Sequence, residues 1–264
     1  MKILVCIKQV PASSQVEVDS ETGVLRRSGM DTKLNPYDEY ALETALRIRE
    51  QAGGTVSAIT MGAPFSAEIL REAYGFGVDA AFLLTDMAFA GADVLATSFA
   101  LSQAVQVMGD FDIIICGCQT TDGDTAQVGP SLAEWLQIPH VSWVKKILAA
   151  DNDKLVVEQD MSGLVAEATL PYPCLISVDK DIYRPRLPSY ILMKQRRDFP
   201  ITTLTLNDLS CKDTGHYGLL GSPTQVERIF PPEAGVPAEQ FTGTGKEVAT
   251  QIFEKLGELK LFAQ

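Results

Sequence analysis

The feature that most constrains this chain is an alternation between short apolar runs and segments with helically spaced apolar residues, repeated from residue 2 to about 137. Segment 2–7 is an Ile- and Val-rich run that reads as a buried strand. Asn35-Pro36 marks a turn, and 37–51 reads as a helix ended by Gly53-Gly54. A strand at 55–60, the turn Met61-Gly62-Ala63-Pro64 and a helix at 66–74 follow, with Gly75 and Gly77 as stop signals. Then come a strand at 80–84, a helix at 92–108, a strand at 111–116, a polar loop at 117–125 and a helix at 126–137. Strands alternating with amphipathic helices require crossover connections and a parallel sheet. The expected fold class is therefore α/β, doubly wound and Rossmann-like.

Beyond residue 150 the pattern changes. Segments 154–160, 163–170 and 173–179 read as strands that complete the sheet as antiparallel edge strands. Residues 15–27 read as a surface hairpin. Residues 180–245 hold seven of the 14 prolines and few periodic runs, and 246–258 carries an amphipathic stripe. The expected division is an α/β domain at 1–180 and an extended arm at 181–264 that ends in a helix.

A formal charge of −12 argues against a nucleic-acid partner, because phosphate binding needs clustered Lys and Arg. The five cysteines (6, 116, 118, 174 and 211) are odd in number and scattered, so no disulfide framework is expected. Cys116 and Cys118 have no second Cys pair or nearby His, so no metal site is expected. No apolar stretch reaches 18 residues, and the N-terminal run is too short for a signal peptide. No membrane span is expected, and the default compartment is cytoplasmic.

In open α/β sheets ligands bind beyond the carboxyl ends of the strands, where the topology switches. Four loops occupy such ends: 8–11, 61–64, 85–92 and 117–130. The last runs from Gly117 to Pro130 through Thr121, Asp122, Gly123, Asp124 and Thr125, straight into a helix start. Backbone N–H groups and the positive helix end there favour an anion. Thr121 and Thr125 can donate to phosphate, Gly123 permits close approach, and Asp122 and Asp124 can cap the helix or bind ribose hydroxyls. The same residues also suit a well-capped helix with no ligand. No P-loop is present, and Gly75-Phe-Gly77 lies after a helix, the reverse of the dinucleotide fingerprint. With only His140 and His216, and no Gly-x-Ser-x-Gly, no catalytic residue stands out.

Residues 121–130 resemble the adenosine-phosphate loop of electron-transferring flavoprotein β subunits. Lys2–Val10 is similar to that family's first strand and turn, and Asn35-Pro36-Tyr-Asp-Glu-Tyr-Ala-Leu-Glu43 to its second nucleotide-contacting segment. Leu187-Pro188 through Met193-Lys194 resembles the loop that docks the partner dehydrogenase, so Leu187, Pro188 and Lys194 are the docking candidates. The resemblance runs from residue 1 to about 260. It implies a partner α subunit and a nucleotide held by Cys6, Lys8, Asn35, Tyr37, Met61, Gly62, Asp93, Thr97, Gly117, Thr121, Asp122, Gly123, Asp124, Thr125, Ala126, Gln127, Val128 and Gly129.

Some members bind structural AMP. Others, the bifurcating branch, bind FAD, which takes a hydride from NADH. Its electrons divide between ferredoxin or flavodoxin and, through the α-subunit FAD, an acyl-CoA dehydrogenase or reductase. Asp122-Gly123-Asp124 resembles the bifurcating branch, where AMP-binding members have Asp-Asp-Asp; losing that side chain makes room beside a diphosphate. Residues 86–97 also resemble bifurcating and nitrogen-fixation-type members, although Val94 stands where a hydroxylic residue is expected. Structural AMP is the alternative cofactor, and a non-redox nucleotide-binding regulatory domain is the alternative of another class.

Overall fold

The computed structural model describes residues 1–12, 31–151, 153–227 and 238–261. Eleven strands are present among these residues: β1 Lys2–Cys6, β2 Gln9–Pro11, β3 Thr32–Leu34, β4 Thr55–Met61, β5 Ala80–Leu84, β6 Ile113–Gly117, β7 His140–Ala150, β8 Lys154–Asp160, β9 Val165–Pro171, β10 Cys174–Val178 and β11 Ile201–Leu204. The helices are α1 Pro36–Ala52, α2 Ala67–Phe76, α3 Val94–Met108, α4 Val128–Leu136, α5 Tyr190–Gln195 and α6 Gly245–Glu258. The expected hairpin at 15–27 lies outside the described residues.

Nine strands form one sheet in the order β11-β5-β4-β1-β6-β10-β7-β8-β9. All neighbours from β11 to β7 are parallel, while β7–β8 and β8–β9 are antiparallel. The inner parallel strands β1, β6 and β10 are buried on both faces, which is why they read as unbroken apolar runs. Successive side chains point to opposite faces. Ile3 and Val5 pack with Leu42 and Leu46 of α1 and Leu70 of α2, whereas Leu4 packs with Leu101 of α3 and Leu132 of α4. The chain leaves β1 for β4 on one side and returns to β6 on the other. The topology therefore switches between β1 and β6, and the loops after these strands flank that point.

Several elements differ from the sequence reading. The apolar run at 173–179 is no edge strand: β10 lies in the interior, parallel to both β6 and β7, with all five residues buried. β7 is an additional strand; its Lys145-Lys146 pair and two register shifts against β8 hide any clean alternation. Gly75 lies inside α2 instead of ending it; Gly77, with φ 116°, makes the left-handed stop. Within 180–245, β11 pairs with β5 at the far edge of the sheet. The compact units are Met1–Glu227 and Arg228–Gln264. Prolines 185, 188 and 200 lie in irregular stretches between short elements. In the second unit, Glu247 accepts the Thr244 N–H and hydroxyl, each at 2.8 Å, which caps α6. No described helix is long and apolar enough to cross a membrane.

Candidate functional site

The loops after β1 and β6 meet above the start of α1. Asn35, fully buried, ties them together. Its main-chain N–H donates to the Lys8 carbonyl (2.9 Å) and its Nδ2 to the Gln119 carbonyl (3.0 Å). Its Oδ1 accepts the Thr121 N–H at 3.3 Å. Gln119 Nε2 donates to the Tyr37 hydroxyl at 3.1 Å. Lys8 Nζ reaches both oxygens of Asp122, at 2.8 and 2.7 Å. Burial pushes the Asp122 carboxyl up, but the Lys8 ammonium, with the Thr120 hydroxyl and the Asp122 N–H, holds the group below its usual range.

Asp38, in the first turn of α1, was not among the sequence candidates, yet it is a hub of this site. Its Oδ2 accepts the Lys8 N–H at 2.7 Å. Burial is the largest influence on it and raises its pKa to about 7, against the opposing pull of Lys8, Asn35 and the Gly117 N–H. Gly117 is required by this packing. A Cβ there would lie 2.5 Å from Asp38 Oδ1 and 2.8 Å from the Tyr37 carbonyl carbon. An acidic residue in a first helical turn is an ordinary sequence signal; its burial depends on β6 and is invisible locally.

From Thr120 the chain turns tightly. Asp124 N–H donates to the Thr120 carbonyl (3.0 Å) and Gly123 N–H to the Thr120 hydroxyl (3.3 Å). Asp124 and Ala126 have φ of 51° and 55°, uncommon for residues with a side chain. Ala126 is followed by Gln127 at φ −111°, ψ −19°, and such pairs of opposite hand make successive N–H groups converge. Gln127 caps α4 without a side-chain hydrogen bond. Among the described residues, the N–H groups of Thr125, Ala126, Gln127, Val128 and Gly129 make no hydrogen bond within the chain. Five free donors at a helix N-terminus suit the oxygens of a phosphate. A Cβ at Gly123 would touch only Thr120 Oγ1, at 3.5 Å, so this side of the loop is open. These donors and this opening fit a nucleotide phosphate group.

The other sequence candidates lie elsewhere along the same rim. Cys6 ends β1 beside Cys116 of β6, its register partner. Donating a hydrogen bond to Cys6 and burial both raise the Cys116 thiol, so it stays protonated. Met61 ends β4, half-buried, and Gly62 packs on Ser66. Asp93 caps α3: Oδ1 accepts the Ala96 N–H (3.1 Å) and Oδ2 the Thr224 N–H (3.0 Å). Asp86 likewise accepts the Ala88 and Leu206 N–H groups. Thr97 stands in the first turn of α3. No hydrogen bond joins Asp93 or Thr97 to the Asn35 cluster among the described residues. β5 is three strands from β6, so their loops are about 14 Å apart.

Leu187 is 87% exposed, and Tyr190 and Ile191 of α5 are also exposed. The Arg196 guanidinium donates to the Val78 carbonyl and faces Asp79 at 3.7 Å.

A family model described as "Electron transfer flavoprotein domain" matches residues 22–209. An electron transfer flavoprotein subunit beta of Thermoanaerobacterium thermosaccharolyticum is 44% identical over 97% of this chain and 98% of its own length. Protein FixA of Sinorhizobium fredii is 42% identical, covering 91% of this chain and 85% of that relative. Subunit CarD of the caffeyl-CoA reductase-Etf complex of Acetobacterium woodii is 40% identical over 98% of both chains.

Proposed function

The chain belongs to the electron transfer flavoprotein family, as a subunit of the β type, and from that premise we propose that it binds FAD as the bifurcating members do. The observation that carries this reading is the open, donor-rich loop from Thr120 to Gly129: five free N–H groups beside a glycine with no side chain to fill the approach. A diphosphate needs both more donors and more room than a monophosphate does. The rim extends about 14 Å further, to the Asp86–Asp93 loop. That leaves length for the rest of a dinucleotide.

FAD, when bound, accepts a hydride from NADH and releases the electrons singly. The protein's own residues bind and orient. The N–H groups of Thr125–Gly129 hold the phosphates, Lys8 supplies positive charge, and Asn35 and Asp38 fix the two loops relative to each other. No side chain is needed as acid or base. The β-type relatives are named as subunits, which supports pairing with an α subunit; CarD's complex supports a CoA-ester dehydrogenase or reductase as electron partner. Leu187, Pro188, Lys194 and the neighbouring exposed residues are the docking row. Ferredoxin or flavodoxin is the second acceptor in this reading.

Structural AMP is the second reading. It is favoured by Asp93, each of whose carboxylate oxygens already serves a main-chain N–H of the chain itself, from Ala96 and Thr224. Anaerobic addition of NADH to the heterodimer separates the two. The FAD reading expects rapid bleaching of flavin absorbance. A flavin spectrum unchanged by excess NADH overturns it.

A further inference from the structure

Glu43 is an acidic residue on the buried face of α1, only 3% exposed. Four donors meet its carboxylate. Arg186 gives Nε (2.7 Å) and main-chain N–H (3.1 Å) to Oε2, and Nη2 (3.2 Å) to Oε1. Arg47 gives Nε to Oε1 at 2.7 Å. Arg186 also reaches Glu50 at 2.7 Å. Burial raises the Glu43 carboxyl, but the two guanidinium groups together pull it below the ordinary value, so it is charged. A buried pair of this kind adds little net stability compared with apolar residues in its place. Its distinctive property is geometric: a planar fork fixes orientation as well as distance.

That orientation is passed directly to the main chain, because the same carboxylate oxygen holds the Arg186 N–H. The next residue is Leu187, 87% exposed. Two further anchors follow. The Ser189 N–H donates to the Gly75 carbonyl at 2.9 Å, and Met193 packs so closely on Gly75 that a Cβ there would lie 2.7 Å from its Cγ. Leu187, Tyr190 and Ile191 thus point outward from a segment fastened on its inner side. Exposed apolar residues otherwise lose rotamer and chain entropy on binding, and fastening removes part of that cost beforehand.

We propose that Glu43 and Arg186 are a positioning pair that sets the direction in which the chain presents Leu187 and Tyr190 to the partner protein. This rests on the docking reading above. In this role the pair acts through the main chain of residue 186, whose N–H Glu43 holds.

The test uses the heterodimer with its α subunit and an acyl-CoA dehydrogenase that reduces the wild-type carrier. KM for the carrier, kcat and bound nucleotide are measured for Glu43→Gln, Arg186→Gln, Arg186→Lys and the double variant Leu187→Ala/Tyr190→Ala. The proposal expects KM to rise on the order of 10-fold in the two Gln variants, the scale of losing one preorganised contact. It also expects kcat and nucleotide content within about two-fold of wild type. Arg186→Lys, with charge but no fork, falls between. Unchanged KM in the Gln variants, with a raised KM in the double variant, overturns the positioning role and leaves docking intact. Unchanged KM in all four overturns the docking reading and the pair's role with it. A joint fall of kcat and nucleotide content in the Gln variants shows a purely structural pair and overturns the proposal.

Discussion

Replacing Gly117 by Ala separates the packing of this site from its chemistry. Gly117 is absent from the positive-φ residues, so the added methyl brings no conformational penalty of its own. The cost is contact: 2.5 Å to Asp38 Oδ1, 2.8 Å to the Tyr37 carbonyl carbon and 2.9 Å to Tyr37 Cβ. One of these is backbone, so rotating a side chain cannot relieve it. Either the first turn of α1 or the loop after β6 must shift by several tenths of an ångström. Overpacking of this kind costs about 1–3 kcal/mol. The shift also stretches the Lys8–Asp38 and Asn35–Gln119 bonds, so the phosphate donors lose their placement. Urea unfolding of the chain should show stability lowered by that amount, as a lower midpoint with an unchanged slope. The purified heterodimer should carry substoichiometric nucleotide at the β site. Gly129→Ala is the control: its Cβ would meet nothing closer than 3.5 Å, and Ala favours helix, so stability holds or rises slightly. Wild-type stability and full nucleotide in Gly117→Ala would refute the steric reasoning.

Further outcomes follow from the same geometry. Asn35→Ala removes a buried side chain bonded to Gln119 and Thr121; about 2–4 kcal/mol of stability should be lost, with nucleotide weakened, as read by unfolding and ligand release. Asp38 has its folded pKa raised to about 7, so the folded state holds a proton that the unfolded chain releases near pH 4. Its contribution is present at acid pH and is lost as pH rises through 7, by at most about 4 kcal/mol. Stability measured from pH 4 to 8 should therefore fall less steeply in Asp38→Asn. Asp122→Asn breaks a partly exposed ion pair with Lys8, so stability should change by about 1 kcal/mol or less, and a larger loss in thermal unfolding would contradict that placement.

The parallel half of the sheet was legible because strands buried on both faces must be apolar throughout, and β1, β5 and β6 show this directly. Cys174–Val178 carries the same signal, but its position after two alternating strands drew it toward the edge. β7 was hidden by its two lysines and by Trp143, whose φ of 58° interrupts the alternation. β11 is four residues long, with Thr202 and Thr203 exposed, too short for periodicity to register. At the site, residues with a local signature (the hydroxyls and glycine of 117–129, and Asn35 before Pro36) could be found in one dimension. Asp38, Gln119 and Glu43 could not. Each owes its role to a partner far along the chain: Lys8, Asn35 and Arg186, respectively.

Co-expression of this chain with its α subunit, followed by release and quantification of the bound nucleotides, tests the central claim most directly. Two FAD per heterodimer without AMP is the predicted result. One FAD with one AMP would contradict it, and the loop from Thr120 to Gly129 would then be a monophosphate site.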